Sequence, residues 1–223
     1  MIENELHFRV IENKDWATVL FILSFVVIAT TKSAFENRFA DFAKLIYSDK
    51  YITIYKDSSN LKSAFTISLF FVQIISLAFF IHLSLSFFGY ASKSDWILYI
   101  QIITFLIFFI LSKYLIEKII ATAFNIEEFI EQFNLQKVTF RTYIGLLLLP
   151  INIILFYYDN ISRNILIFFI CTVLIINVLT YLVSIKNYQS AIFSKLFYFI
   201  LYLCALEIAP YYFMYYWFTK GID

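Results

Sequence analysis

The chain has 223 residues, 62% of them hydrophobic and 22% aromatic, with a formal net charge of +1 and a mean hydropathy of +0.80. Soluble domains are about half apolar; here the excess falls in long uncharged blocks, which places the chain among membrane proteins and leaves no room for a separate globular domain. The near-neutral charge excludes a broad nucleic-acid surface, and Cys171 and Cys204, without CxxC spacing, read as small buried apolar residues.

In chain order, residues 1–15 are a short acidic tail with neither a basic start nor a small-residue cleavage site, so no signal peptide is expected. Residues 16–31 (WATVLFILSFVVIATT) form the first and shortest predicted span. A basic connector follows over residues 32–62. Within it Phe35, Phe39, Phe42 and Ile46 recur on one helical face, against Glu36, Arg38, Asp41 and Lys44 on the other. That pattern predicts an amphipathic helix lying in the membrane interface. Residues 50–56 alternate like a strand, but a lone strand has no partner, so this stretch reads as loop.

The second predicted span, residues 64–88, carries Gln73 and His82 nine residues apart, hence on opposite sides of a helix. His82 falls near a boundary, where its tip is expected to reach water. Residues 89–94 turn into the third span, residues 95–116. In the next connector, Ile126, Phe129, Ile130 and Phe133 make a second apolar stripe, and Asn125 with Glu128 has the spacing of a capping box. This predicts a second interfacial helix whose polar face presents Glu127, Glu128 and Glu131, a solvated face or a surface for a basic partner.

The fourth span, residues 141–157, contains Gly145, Pro150 and Asn152; the fifth, residues 163–185, holds Asn177. The sixth, residues 194–218, carries Glu207 near its middle, with Pro210 and Tyr211 in the following turn. A carboxyl at that depth costs free energy unless it is protonated, paired or wetted, so Glu207, Asn152, Asn177 and Tyr211 form the candidate intramembrane polar site. Pro150 and Pro210 are the helix breaks that accompany it.

Lysine and arginine split five to twelve between the two sides, with the twelve on the side of the longer connectors. The bias predicts cytoplasmic connectors and two extracytoplasmic termini. Trp16, Trp96, Tyr157, Tyr158, Tyr215, Tyr216 and Trp217 then fall at the outer boundary as an aromatic belt. The expected fold is an all-α, polytopic bundle of six spans with two cytoplasmic interfacial helices, forming one domain over residues 1–223.

Catalytic patterns are sparse. The two histidines, His7 and His82, and the three glycines frame no GxSxG, HExxH, P-loop or metal-ligand spacing, so no cofactor and no metal is expected. Glu127 and Glu128 suggest the paired glutamates of intramembrane prenyl-protein proteases, but Gln132 stands where that family has arginine.

As a set, Lys14-Asp15-Trp16, LIYSDKYITIYKDSSN (residues 45–60), FNIEEFIEQFNLQKVTFRTYIGLLLLPINIILFY (residues 124–157) and KLFYFILYLCALEIAPYYFMYYWF (residues 195–218) resemble an integral-membrane family of Bacteroidota, domain of unknown function 4271. The resemblance implies a bacterial inner-membrane protein and supplies neither an activity nor catalytic residues. The leading expectation is a non-enzymatic component that touches the bilayer and holds a protein partner through its cytoplasmic connectors. The alternatives are a small transporter or proton-coupled conductor using Glu207, and a membrane-embedded enzyme acting on a lipid-linked substrate.

Overall fold

A computed structural model of the chain describes residues 14–45, 47–48, 50–55, 58–123, 125, 127–158 and 162–187; the side chains of residues 58, 59, 128, 129, 163, 184, 185 and 187 lie outside that description. Seven α-helices appear among the described residues: α1 (Asp15–Ala34), α2 (Glu36–Ala43), α3 (Lys50–Ile54), α4 (Ala64–Phe87), α5 (Trp96–Ala123), α6 (Glu127–Tyr157) and α7 (Arg163–Asn187). Five of them, α1 and α4 to α7, are long and apolar enough to cross a membrane. The expected sixth span, residues 194–218, lies outside the described residues.

Turn chemistry sets the ends of these helices. After α4 the chain closes in a Schellman motif: Gly89 takes a φ of +85°, its N–H donates to Ser86 O at 3.1 Å, and the Tyr90 N–H donates to Leu85 O at 3.0 Å. Glycine meets that left-handed conformation without a Cβ clash. Asp95 then caps α5, its carboxylate accepting from the Leu98 N–H at 3.1 Å. At the far end of α5, Asn125 has a φ of +57° and its N–H donates to Thr122 O. Asn125 therefore closes α5, because asparagine is among the few residues that tolerate this conformation; the Glu128 side chain of the expected capping box lies outside the described residues.

Two further expectations change here. The stretch expected as a separate interfacial helix around residues 126–133 continues without a break into the fourth span, as one 31-residue helix. Its lysine and arginine lie along a helix whose backbone is already satisfied, so charge alone does not interrupt it. The stretch from residue 50, which reads as loop, folds as α3 followed by a 3-10 turn, Ser58–Lys62.

The spans alternate in direction, so the starts of α1, α5 and α7 share one end of the bundle with the ends of α4 and α6. We call this the turn side and the opposite end the connector side. α4 and α6 run parallel as the central pair, α1 packs on α4, α7 on α6, and α5 lies beside both. On α4 the buried residues Phe65, Leu69, Val72, Ser76, Phe79 and Leu83 are spaced alternately four and three apart, and Thr142, Gly145, Leu149, Asn152 and Phe156 on α6 alternately three and four apart. This is the seam of a coiled-coil-like pair.

α2 is amphipathic as expected, but Phe42 on its apolar face is buried in a cluster with Leu45, Tyr51, Phe65 and Leu69, and Phe39, Phe140 and Tyr143 pack around them. At least this part of the face is turned onto the bundle itself. Cys171, expected to be buried, is exposed on α7.

Candidate functional site

Polar groups inside the bundle are gathered on the α4–α6 seam. Gln73 and Asn152 are fully buried. The Thr142 hydroxyl donates to Gln73 Oε1 at 2.8 Å, and Asn152 Nδ2 donates to the Ser76 carbonyl at 2.7 Å and to its hydroxyl at 3.1 Å. Gly145 lies between these two links, so close to α4 that an added Cβ would stand 2.9 Å from Gln73 Cα. Bonds of this kind between transmembrane helices are worth roughly 0.6–2 kcal/mol each. Among the described residues no group donates to Asn152 Oδ1.

Asn177, placed with Asn152 by depth alone, instead donates to the Val173 carbonyl of its own helix at 2.8 Å. Pro150 sits inside α6, where its missing N–H leaves the Leu146 carbonyl without its helical partner. Glu207, Pro210 and Tyr211 lie outside the described residues, so the polar site expected around Glu207 keeps Asn152 on the seam and Asn177 on α7.

The turn-side half of the bundle is an aromatic core. Trp16 stacks on Phe79 with centroids 5.6 Å apart and lies 5.0 Å from Tyr99. His82 is fully buried, edge-on to Trp16 at 6.1 Å and to Tyr99 at 6.2 Å. The histidine expected to reach water is thus shut inside by rings from α1 and α5, an enclosure that only the tertiary packing creates. Trp16 likewise serves the core besides marking a boundary, while Trp96 stays exposed and Trp217 lies outside the described residues. Lys93 closes this end by donating to the Tyr158 and Leu155 carbonyls at 3.0 and 3.3 Å.

The connector side is built from charge. Arg38 on α2 reaches the Ser63 hydroxyl at 3.0 Å, the Thr66 hydroxyl at 3.3 Å and the Tyr51 hydroxyl at 3.3 Å. Its guanidinium lies 4.6 Å from the Phe65 ring centre and 4.7 Å from that of Tyr55. One planar cation thereby ties α2, α3 and the start of α4 together through hydrogen bonds and cation–π contacts. Burial pushes the Tyr51 phenol above its ordinary value, with the Arg38 charge opposing the shift.

Deeper in, Glu117 of α5 and Lys137 of α6 form a buried ion pair at 3.4 Å. Beside it opens a cavity of about 330 Å³, bounded by the 3-10 turn, α4, α5 and α6, with Lys62, Lys113, Lys137 and Arg141 among its walls and Glu117 as their carboxylate. A smaller crevice of about 20 Å³, lined by Glu127, Glu131 and Lys118, adjoins it across Asn134. That volume holds about one water. Glu127 is exposed and Glu131 half-buried; the Glu128 side chain lies outside the described residues. Among the described residues no group of three His, Cys, Asp or Glu converges as metal ligands would.

The cavity is the feature that sequence reasoning missed, because its charges entered only as orientation signals. A usable signal was present: Lys113 with Glu117, and Lys137 with Arg141, each stand four residues apart and therefore share a helix face.

A protein-family model described as Domain of unknown function (DUF4271) matches residues 17–218. The chain belongs to this family. The DUF4271 match begins within α1 and takes in all the remaining described spans, the seam and the connector-side cavity. No curated protein and no solved structure matches the chain.

Proposed function

We propose that this chain is a non-enzymatic component of a bacterial inner membrane that holds a protein partner at its connector side, with the connectors in the cytoplasm and both termini extracytoplasmic. The observation that carries the reading is the folded connector between α1 and α4. A long tether would cost ordering entropy when it bound a partner, whereas this one is already packed on α4 through Arg38 and the cluster around Phe42 and Tyr51. On that ordered base Tyr47 is 90% exposed and Ile54 half-exposed. Exposed aromatic and aliphatic side chains on a preorganised platform are what a partner's anchor residues require. The five-to-twelve charge split supports the orientation.

Two experiments test this. A photo-crosslinking residue at position 47 should yield one stoichiometric adduct in intact membranes, and the same residue at Tyr90 on the turn side should not. No adduct at position 47, or equal adducts at both, overturns the reading. For orientation, a cysteine placed at Ser59 in a cysteine-free background should stay unlabelled by an impermeant thiol reagent in intact spheroplasts; labelling reverses the topology.

One observation favours the second reading, a proton-coupled conductor. Asn152 Oδ1 is a buried acceptor without a donor among the described residues, on the face of α6 that carries the polar seam. A protonated Glu207 is a group of the right chemistry to supply one. Under this reading Glu207→Gln accumulates normally but fails in whatever phenotype deletion of the chain gives. A normal phenotype for that variant removes the conductor.

A further inference from the structure

The connector-side cavity combines features that no helix bundle needs for its own stability. Arg141 and Lys62 both line it, and among the described residues the side chain of neither forms an ion pair or hydrogen bond. Arg141 is half-buried on a helix that lies within a candidate membrane span. A cation so placed is costly without a counter-ion, and the one carboxylate of the cavity, Glu117, is already bonded to Lys137. Asn134, also on the wall, keeps a buried Oδ1 with no donor among the described residues.

Depth sets the chemistry of the missing counter-ion. Arg141 stands 16 residues before the turn-side end of α6 at Tyr157, or about 24 Å at 1.5 Å per residue. With Tyr157 at one boundary of a hydrocarbon layer about 30 Å thick, Arg141 comes to within roughly 6 Å of the opposite boundary. Lys113, 17 residues along α5 from Trp96, reaches a similar level. From there the long arginine and lysine side chains snorkel outward and bring their charged heads to the headgroup boundary, beside the lipid phosphates. Phe70, Phe109 and Ile110 supply apolar wall, and Ile67 and Leu111 at the rim are exposed on the bundle surface. The cavity is thus cationic at headgroup depth, apolar beside it, and bordered by side chains that face the bilayer.

We propose that this cavity is a binding site for an anionic phospholipid of the connector-side leaflet. The lipid phosphate sits against Arg141 and Lys62, and the acyl chains run along Phe70, Phe109 and Ile110. Arginine suits the role because its planar fork bonds two phosphate oxygens at once. The volume, about 330 Å³, is at the lower end of small-ligand pockets. It takes a headgroup and the first part of the chains, with the remainder left in the bilayer. A basic pocket between helices at headgroup level is the recognised physical form of such a site.

The test uses the full chain in mild detergent, titrated with fluorescent phosphatidylglycerol and, separately, fluorescent phosphatidylcholine. The wild type should prefer the anionic lipid by about tenfold, the factor that one lost charge-assisted hydrogen bond corresponds to. Arg141→Gln should abolish most of that preference, Arg141→Lys should retain part of it, and Lys62→Gln, an exposed position, should lower it severalfold. Lys32→Gln removes an equal charge from the connector-side end of α1, where it does not line the cavity, and should change nothing. Should Arg141→Gln not fold, the Lys62→Gln and Lys32→Gln pair decides. The proposal is overturned if Lys62→Gln and Lys32→Gln behave alike, since the preference is then general electrostatics. It is also overturned if millimolar inorganic phosphate displaces the lipid fully, since the site then holds a free anion and the apolar wall has no part.

Discussion

The central helices α4 and α6 and the flanking helices α5 and α7 have similar lengths and similarly apolar sequences, yet they do different work. In their most apolar windows α4 is 56% buried and α6 44%, whereas α5 and α7 are each 6% buried. The central pair carries the glycine, the buried amides and the serine; the flanking pair presents bare phenylalanine and isoleucine. Lipid is as apolar as leucine, so in a bilayer the hydrophobic effect does not decide which helix goes inside. Close packing and interhelical hydrogen bonds decide it; α4 and α6 have the residues for both along their apolar lengths, while α5 bonds to α6 through Glu117 near its connector-side end.

Substitution can break or sharpen that contrast, and the effects should fall in a definite order. Phe79→Ala should be the most damaging, since Phe79 is fully buried and touches Trp16, Phe21, Tyr99 and Phe156. The cavity left behind should cost about 3 kcal/mol in unfolding titrations in micelles. Gly145→Val comes next, at roughly 2 kcal/mol, because an added Cβ already stands 2.8 Å from Gln73 Cγ and 2.9 Å from its Cα, and the backbone of α4 cannot yield. If Gly145→Val instead left stability unchanged, the seam would not be the organising contact.

Asn152→Leu should cost about 1 kcal/mol through loss of its bonds to Ser76. Tyr51→Phe sharpens the contrast from the connector side. Burial raises the phenol's value in the folded chain, so the folded state keeps its proton to higher pH than the unfolded one. The resulting contribution is full below about pH 10 and is lost as pH rises beyond it. Tyr51→Phe should therefore flatten the alkaline limb of a stability profile relative to wild type. Phe108→Ala on α5 should have the smallest effect, within about 0.5 kcal/mol, because that ring is 71% exposed.

What was legible in the sequence follows from the same physics. Long apolar blocks mark spans whatever their neighbours, so residues 64–88 and 163–185 were bounded within a few residues of α4 and α7. Gly89 was legible as the start of a turn, whereas the caps Ser63 and Asp95 came only with the structure. The seam was not legible by hydropathy, because lipid-facing and seam-facing positions are equally apolar and give no periodic contrast. It was carried instead by the small and polar positions, Gln73, Ser76, Thr142, Gly145 and Asn152, whose spacing matches the buried repeat. The absence of GxxxG hid the close approach at Gly145, where one glycine suffices because Gln73 presents its backbone to it. His82 and the cavity beyond Arg141 depend on three or four helices meeting, and no local pattern encodes that.

The contact at Gly145 also limits how the protein moves. With Gln73 backbone against a glycine and a hydrogen bond on either side of it, α4 and α6 cannot slide or roll past one another without collision. They travel as one body. Displacement is left to α5, which forms one wall of the cavity and is little buried along its apolar length. The turns at its two ends carry the left-handed residues Gly89 and Asn125, the positive-φ positions among the described residues. A swing of α5 about those turns would widen or narrow the cavity while the seam kept its register, a shear of one helix over a fixed pair.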